Sequence, residues 1–570
     1  MSTLDWLVLC LTLFGIVFYG IWKSRGAKDL DTYLLANKQL PWYHVGLSVM
    51  ATQASAITFL SAPGQSFNDG MRFVQFYFGL PLAMIVLCVT FIPIFRKLNV
   101  YTAYEYLEKR FDPKTRLLTA ALFLIQRGLS TGLTIYGPAI IISTILHTEI
   151  NTTIIITGII VIGYTVYGGT KAVSYTQMLQ MGIIFAGLFL SAYLVVHMLP
   201  SDVGFIDALS IAGKMDKLKA IDTNFDWNNR YNLWSGIIGG FFLHLSYFGT
   251  DQSQVGRYLT GSSVAESRLG LVMNGLLKIP MQFLILLIGI LVFTFYQFYQ
   301  APVFFNRVET NKIEQSAYAK EYHSLEKEFN ALSSEKFAQV LVLNKALKEK
   351  NETQVAEATE QLKVTEKKVS EIRKKIPELI TKNDPKADAN DANYIFLRFV
   401  TDHFPKGVIG LLMAVIILAA MGSTAGGLNS LGSTTVVDFY KGSFKPAETE
   451  AKYLSVSRWA TAAWGIFCIG AAIFASRLGN LIEAVNILGS LFYGTILGIF
   501  LVAFYFKKIN GNSVFYAALI AEAFIVYAWI IDLTAFLWLN VLGCLLVIIF
   551  AHLLHFINAR KQPLNPELDS

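Results

Sequence analysis

Charge is what this sequence has least of. Only 15% of its 570 residues are Asp, Glu, Lys or Arg, against about 25% in a soluble domain. The stretches 73–95, 150–170, 172–201, 279–305, 407–437 and 484–506 carry none at all. Each reaches the roughly 20 residues that cross a bilayer. A soluble protein buries one such helix in its core, not six, so that class is excluded. Reactive side chains are equally sparse. The four cysteines, Cys10, Cys88, Cys468 and Cys544, all fall in apolar spans, with no disulfide framework and no metal-ligand spacing. The histidines and carboxylates form no cluster at one depth, which argues against a membrane enzyme. No pore loop repeats, which argues against a channel.

What is there is hydropathy, and it predicts an all-α integral membrane protein with 13 spans. They lie near 4–22, 42–67, 72–95, 115–146, 150–169, 175–199, 232–257, 269–299, 407–438, 456–476, 480–506, 511–531 and 533–557. The first run has no basic residue before it and no small-residue cleavage site after it, so it is read as a retained span. One set of alternate loops is basic: Lys23, Arg25, Lys28 and Lys38, then Arg96 to Arg116, Lys171, Arg257 and Arg268, Lys441 to Arg458, Lys507 and Lys508, and the tail with Arg560 and Lys561. The opposite short loops hold little beyond Arg72 and Arg477. The positive-inside rule then places the N-terminus outside and the C-terminus in the cytoplasm of a plasma or inner cell membrane. Lipid headgroups and this topology account for the net charge of +7 without nucleic acid.

Residues 306–395 break the pattern. They are rich in Glu, Lys and Gln, lack proline until Pro377, and carry an apolar stripe through Leu332, Val340, Leu343 and Leu347, then Val355, Leu362, Val369 and Ile372. This predicts two coiled-coil-like helices folding back near Asn351, each about 35–50 Å long, outside the membrane. The insertion is either a structural elaboration or a docking site for a protein partner.

Two spans look interrupted. The first, 42–67, has small and hydroxyl residues through its middle and Pro63-Gly64 towards its end. The second, 232–257, has Gly239-Gly240 followed by His244, Ser246 and Tyr247. They open two groups of five spans, 42–199 and 232–506. Five is odd, so the second group enters the membrane in the opposite sense, as in an inverted repeat whose unwound helices offer carbonyls to a cation. The expected organisation is a peripheral helix and cytoplasmic loop (1–41), the first repeat (42–199), an outer loop (200–231), the second repeat (232–506) interrupted by 306–395, and two peripheral helices with a cytoplasmic tail (507–570).

Five stretches resemble the sodium:solute symporter family, which includes sodium/glucose, sodium/proline, sodium/iodide and sodium/monocarboxylate transporters. They are SVMATQASAITFLSAPGQSF from Ser48, TAYEYLEKRF from Thr102, YGGTKAVSYTQMLQ from Tyr167, TDQSQVGRYL from Thr250 and AAMGSTAGGLNSLGSTTVVDFY from Ala419. The resemblance implies a LeuT-type fold with a ten-span core of 5+5 helices, broken in its first and sixth. It implies sodium as coupling ion, no other cofactor, and a small polar solute: a sugar or polyol, an amino acid or a carboxylate. The sodium ligands it implies are carbonyls of Ala51, Ala54 and Ala419 and a hydroxyl pair. Counting back from Asn429 and Asp438 puts the pair at Gly422-Ser423, and counting forward from Ala419 puts it at Ser423-Thr424. Relatives with a second sodium have an Asp where this chain has Gln177, and hydroxyls where it has Ala425 and Gly426, so one sodium per cycle is expected. The implied solute contacts are Gln53, Thr58, His244, Tyr247, Lys278 and Asn486, with Tyr77 replacing a carboxylate of the glucose-type pocket. Lys278 also stands out by itself, as the lysine deepest in a span. Arg127, Glu483 and Glu522 are further charges within spans, for which internal pairing is expected. A solute sensor that keeps the fold and uses the insertion to bind a partner is the alternative; it would bind solute without accumulating it.

Overall fold

The computed structural model describes residues 1–24, 38–98, 100–146, 148–385, 387–444, 448–475 and 480–561. The loop cations Arg25, Lys28, Lys445 and Arg477 lie outside these. Among the described residues, nine helical segments are long and apolar enough to cross a membrane. The remaining expected spans are either short apolar helices, Thr3–Ile16 and Ile150–Gly163, or helices broken in two.

The first broken helix consists of Trp42–Gln53 and Ala56–Asp69. Its break lies at Ala54 and Ser55, where the backbone turns to φ/ψ of −84°/81° and −86°/175°. Pro63 is tolerated inside the second half. The second broken helix runs through a π-turn at Ser235–Gly239 into Gly240–Thr250, breaks at Asp251, and resumes as Gln252–Tyr258. The Gly239-Gly240 pair is therefore not the break. Asp251 is, because its carboxylate caps the next helix by accepting from the Ser253 amide at 2.8 Å.

The segments Ile150–Gly163 and Val173–His197 have different neighbours. Thr153 bonds to Ala139 O in helix Pro113–Leu146, and Ile162 meets Gly465 while Gly158 meets Ile469. That portion runs antiparallel to Pro113–Leu146 and to its parallel neighbour Glu450–Ala475. Further on, Gln177 meets Gly422 and Gly187 meets Leu412. This portion runs antiparallel to Val408–Thr434, which is itself antiparallel to Pro113–Leu146 through the contacts Thr131–Gly427 and Thr134–Thr424. The two segments therefore run in opposite senses.

Helix Val264–Phe298 packs along the first broken helix through small residues. A Cβ on Gly46 would stand 2.8 Å from Gly270 O, and one on Gly289 would stand 2.1 Å from Pro63 O. Close backbone approach of this kind is how helices associate without a hydrophobic driving force.

The insertion is a hairpin of Ala319–Lys348 and Glu352–Asn383, about 45 and 48 Å long at 1.5 Å per residue. It reverses through Lys350, a non-glycine residue at φ 55°. It does not stand free. Near its base Phe329, Val369, Ile372 and Ile376 form their own core with Val303 and Phe304. At its tip Val340, Leu343, Ala346, Val355 and Leu362 join the core of the bundle. Lys348 pairs with Asp202 at 3.4 Å and Lys363 with Asp216 at 2.5 Å, which lashes the hairpin across the 200–217 loop.

Candidate functional site

The break in the first broken helix frees two carbonyls. Ser55 N–H donates to Gln53 O and Thr58 N–H to Ser55 O. The oxygens of Ala51 and Ala54 thus lose the donors that a regular helix would supply. Helix Val408–Thr434 packs against both halves of this helix and carries Ala419, Ser423 and Thr424, all buried. In this structure Ser423 Oγ donates back to Ala420 O at 3.1 Å, and Thr424 Oγ1 shares a 2.8 Å hydrogen bond with Thr134 Oγ1. Uncharged oxygens around a dry junction are a donor set that suits a hard monovalent cation.

Beside that junction Gln177 acts as an amide clip. Its Nε2 donates to Thr52 Oγ1 and to Gly422 O, both at 3.1 Å, and its Oε1 accepts from Ser48 Oγ at 2.6 Å. One neutral side chain thereby joins the first broken helix to Val408–Thr434.

A cavity of about 90 Å³ lies between the two broken helices. Five of the expected solute contacts line it: Gln53, Thr58, Tyr77, Tyr247 and Asn486. His244 and Lys278 do not. Both are wholly buried behind Tyr77. The His244 ring stacks on Tyr77 at 5.7 Å and its Nε2 meets Phe76 O at 3.2 Å. Lys278 Nζ lies 5.9 Å from the Tyr77 ring centroid and has no hydrogen-bond partner among the described residues. Tyr77, itself in the lining, stands against both. Glu483 pairs with Arg230 at 2.6 Å and accepts from Tyr231. Glu522 has no ion pair among the described residues.

Arg127 and Tyr493 also line the cavity, and sequence reasoning gave neither a role. Arg127, in helix Pro113–Leu146, is the only charged residue among the described residues of the lining. It pairs with Asp251 at 3.3 Å, bonds Ser253 Oγ, and faces the Tyr247 ring at 5.6 Å. Its Nε has no hydrogen-bond partner among the described residues. Asp251 is well supplied without it, accepting from Ser253 N at 2.8 Å, Ser253 Oγ at 2.6 Å and Tyr493 OH at 3.0 Å. The guanidinium lies on the wall of the cavity between the two broken helices. A charge within a span was the available signal; that it faces the cavity is a tertiary fact.

Comparison with known proteins follows this geometry. The profile described as the sodium:solute symporter family matches residues 33–320 and 378–521, leaving most of the hairpin outside it. A sodium/sialic acid symporter from Aliivibrio fischeri is 23% identical over 563 residues, 97% of this chain and 93% of that one. Human sodium-coupled monocarboxylate transporter 1 is 25% identical over 486 residues, 85% and 66% of the two chains. The human sodium/iodide cotransporter is 29% identical over 273 residues, and the match spans only 42% of that protein. A solved structure of a sodium-coupled sialic acid symporter, in a substrate-bound outward-open state, superposes with a TM-score of 0.75 at 21% identity over 98% of each chain. The fold is thus the all-helical LeuT-type bundle. By the extent of the profile match, the chain belongs to the sodium:solute symporter family.

Proposed function

We propose that this protein is a sodium-coupled symporter that carries a small carboxylate-bearing solute across the membrane by alternating access. The observation that supports the solute class is Arg127, the sole charge among the described residues that line the cavity between the broken helices. A planar guanidinium recognises a carboxylate through paired hydrogen bonds. Gln53, Thr58, Tyr77, Tyr247 and Asn486 contact the rest of the solute. His244 and Lys278 act on it through Tyr77. The relatives named for sialic acid and monocarboxylates carry solutes of this class.

Sodium binds to the carbonyls of Ala51, Ala54 and Ala419 with the hydroxyls of Ser423 and Thr424, both of which must rotate from their present bonds. The Gln177 clip occupies the place of a second ion, so one sodium moves per cycle. With a monoanionic solute that cycle is electroneutral, and the chemical gradient of sodium alone drives it. Coupling requires that each ligand favour the same conformational state. The basic loops face the cytoplasm, which sets the hairpin outside the cell.

The test is uptake into proteoliposomes of radiolabelled lactate, sialic acid and, as a neutral control, glucose, with and without an inward sodium gradient. Sodium-driven accumulation of a carboxylate supports the reading. Accumulation of glucose alone overturns the solute class, and binding without accumulation overturns symport.

A further inference from the structure

Where the hairpin lies on the bundle there is a second chamber, of about 580 Å³ and open to solvent, with a lining distinct from that of the central cavity. Its walls carry five cations, Lys217, Lys336, Lys367, Arg373 and Lys374, against three carboxylates, Asp69, Glu366 and Asp391. Lys336 pairs with Glu366 at 3.2 Å and Arg373 with Asp391 at 2.7 Å. Lys217 donates to Phe67 O at 2.9 Å and Asn68 O at 2.5 Å, at the end of the first broken helix. Lys367 and Lys374, two turns apart beside Ser370, have no ion pair among the described residues. The surplus is positive, and low-dielectric walls focus such a field on whatever enters.

The chamber also leads towards the cavity. Asn68, Asp69 and Lys217 are shared with an adjoining space of about 480 Å³ that extends to Arg230 and Glu483. Below it lies a layer of hydrogen bonds: Asn480 Nδ2 to Gln65 Oε1 at 2.6 Å and Gln65 Nε2 to Glu483 at 3.4 Å. In the same helix as Glu483, Ile482, Val485 and Asn486 already line the central cavity. Five of the charged walls, Lys336, Glu366, Lys367, Arg373 and Lys374, fall in the part of the hairpin that the family profile does not match.

We propose that this chamber is an entry site that gathers the carboxylate-bearing solute before the bundle opens to it, and that Lys367 and Lys374 supply the attraction. The proposal rests on the carboxylate reading above. Two measurements on the full-length protein test it. In the first, Ser370→Cys is labelled with anionic sulfonatoethyl and cationic trimethylammonium thiosulfonates, with Ser324→Cys on the exposed hairpin surface as reference. The anionic-to-cationic rate ratio should be several-fold higher at Ser370→Cys, and Lys367→Gln/Lys374→Gln should abolish the difference. In the second, uptake of lactate and sialic acid is measured at about 10 mM sodium, where charges act over roughly 30 Å. The double variant should raise KM three- to tenfold, about what two charges near 7 Å in water supply, leave kcat unchanged, and lose its effect when choline chloride screens the field. Equal labelling ratios overturn the chamber's charge. An unchanged KM with a raised ratio overturns its place on the route. If the unmodified protein accumulates neither probe, the carboxylate reading fails with the entry role, and the labelling ratio alone decides whether the chamber gathers anions.

Discussion

Arg127→Gln separates a binding role for the guanidinium from a structural one. The substitution removes one partner of a buried pair; the side chains are 10% and 0% exposed for Arg127 and Asp251. Breaking such a pair commonly costs about 3–5 kcal/mol. Here Asp251 keeps three donors, so a smaller loss of about 1–3 kcal/mol is expected, still enough to lower the melting temperature. For the solute, losing charge-assisted hydrogen bonds removes about 1.5–3 kcal/mol, a roughly ten- to hundredfold rise in the half-saturating carboxylate concentration. Sodium binding, whose ligands lie on other helices, should remain measurable. The double variant Arg127→Gln/Asp251→Asn removes the stranded charge and should restore stability without restoring solute affinity. Arg127→Lys keeps the charge but not the planar fork, and should recover affinity only in part. Uptake kinetics and melting curves on the same purified variants supply the readout. Normal carboxylate affinity in a folded Arg127→Gln protein would refute the solute assignment.

Three further perturbations probe the surroundings. Ser423→Ala should leave stability nearly unchanged, since it loses only a bond to its own helix, but should raise the half-saturating sodium concentration by about an order of magnitude, because an oxygen is lost from a dry site; unaltered sodium dependence removes Ser423 from the ligand set. Gln177→Ala should cost about 1–3 kcal/mol by dissolving the clip to Thr52, Gly422 and Ser48, while the unmodified protein should give a sodium Hill coefficient near one; a coefficient near two contradicts the single-ion cycle. Asp388, outside the spans, accepts from Tyr136 OH at 2.8 Å and Tyr394 OH at 2.9 Å, yet burial pushes its pKa from 3.8 up to about 6. A carboxyl raised on folding stabilises below its ordinary pKa and loses that contribution as pH rises through the folded value. The melting temperature relative to Asp388→Asn should therefore fall between about pH 4 and 6, by an amount on the order of 3 kcal/mol in stability, and level off above; a flat difference shows that Asp388 does not titrate there.

The spans were legible because hydropathy is a local property, and the two interrupted helices because small and hydroxyl residues are out of place in an apolar run. Where each helix breaks was less legible. The first break lies at Ala54 and Ser55, next to the carbonyls that the resemblance implied, while the helix continues through Pro63. In the second helix the glycine pair drew attention, while the better signal was Asp251: a carboxylate after Thr250, followed by Gln252 and Ser253, is a helix cap. The cavity was legible in Gln53, Thr58, Tyr77, Tyr247 and Asn486 through family resemblance. His244 and Lys278 lie behind Tyr77, outside the lining; packing of this kind is not weighed by a position-by-position comparison. Arg127 was visible as a charge within a span, but its partner is 124 residues away, and no periodicity announces such a pair.

The bonds at the hairpin end define what must yield for solute to pass. Above the cavity, the first broken helix is held to the start of Leu481–Tyr505 by Gln65 and Asn480. Asn393 adds a second tie, accepting from Ser61 Oγ at 2.7 Å. The segment that follows the hairpin is seated on the same helix: a Cβ on Gly64 would stand 1.9 Å from Ala392 O. Close backbone contact transmits displacement better than a long side chain does, because it has no rotamer through which to absorb it. If the outer half of the first broken helix tilts away from Leu481–Tyr505, residues 392 and 393 must follow or detach. The hairpin is lashed by Asp202 and Asp216 to the loop before the second repeat, so detachment at Gly64 is the cheaper route. Gly64→Ala tests this step: it wedges the contact apart and should favour the state open at the hairpin end, read as faster labelling of Asn486→Cys by the anionic thiosulfonate. Slower labelling would mean that residues 392 and 393 travel with the helix.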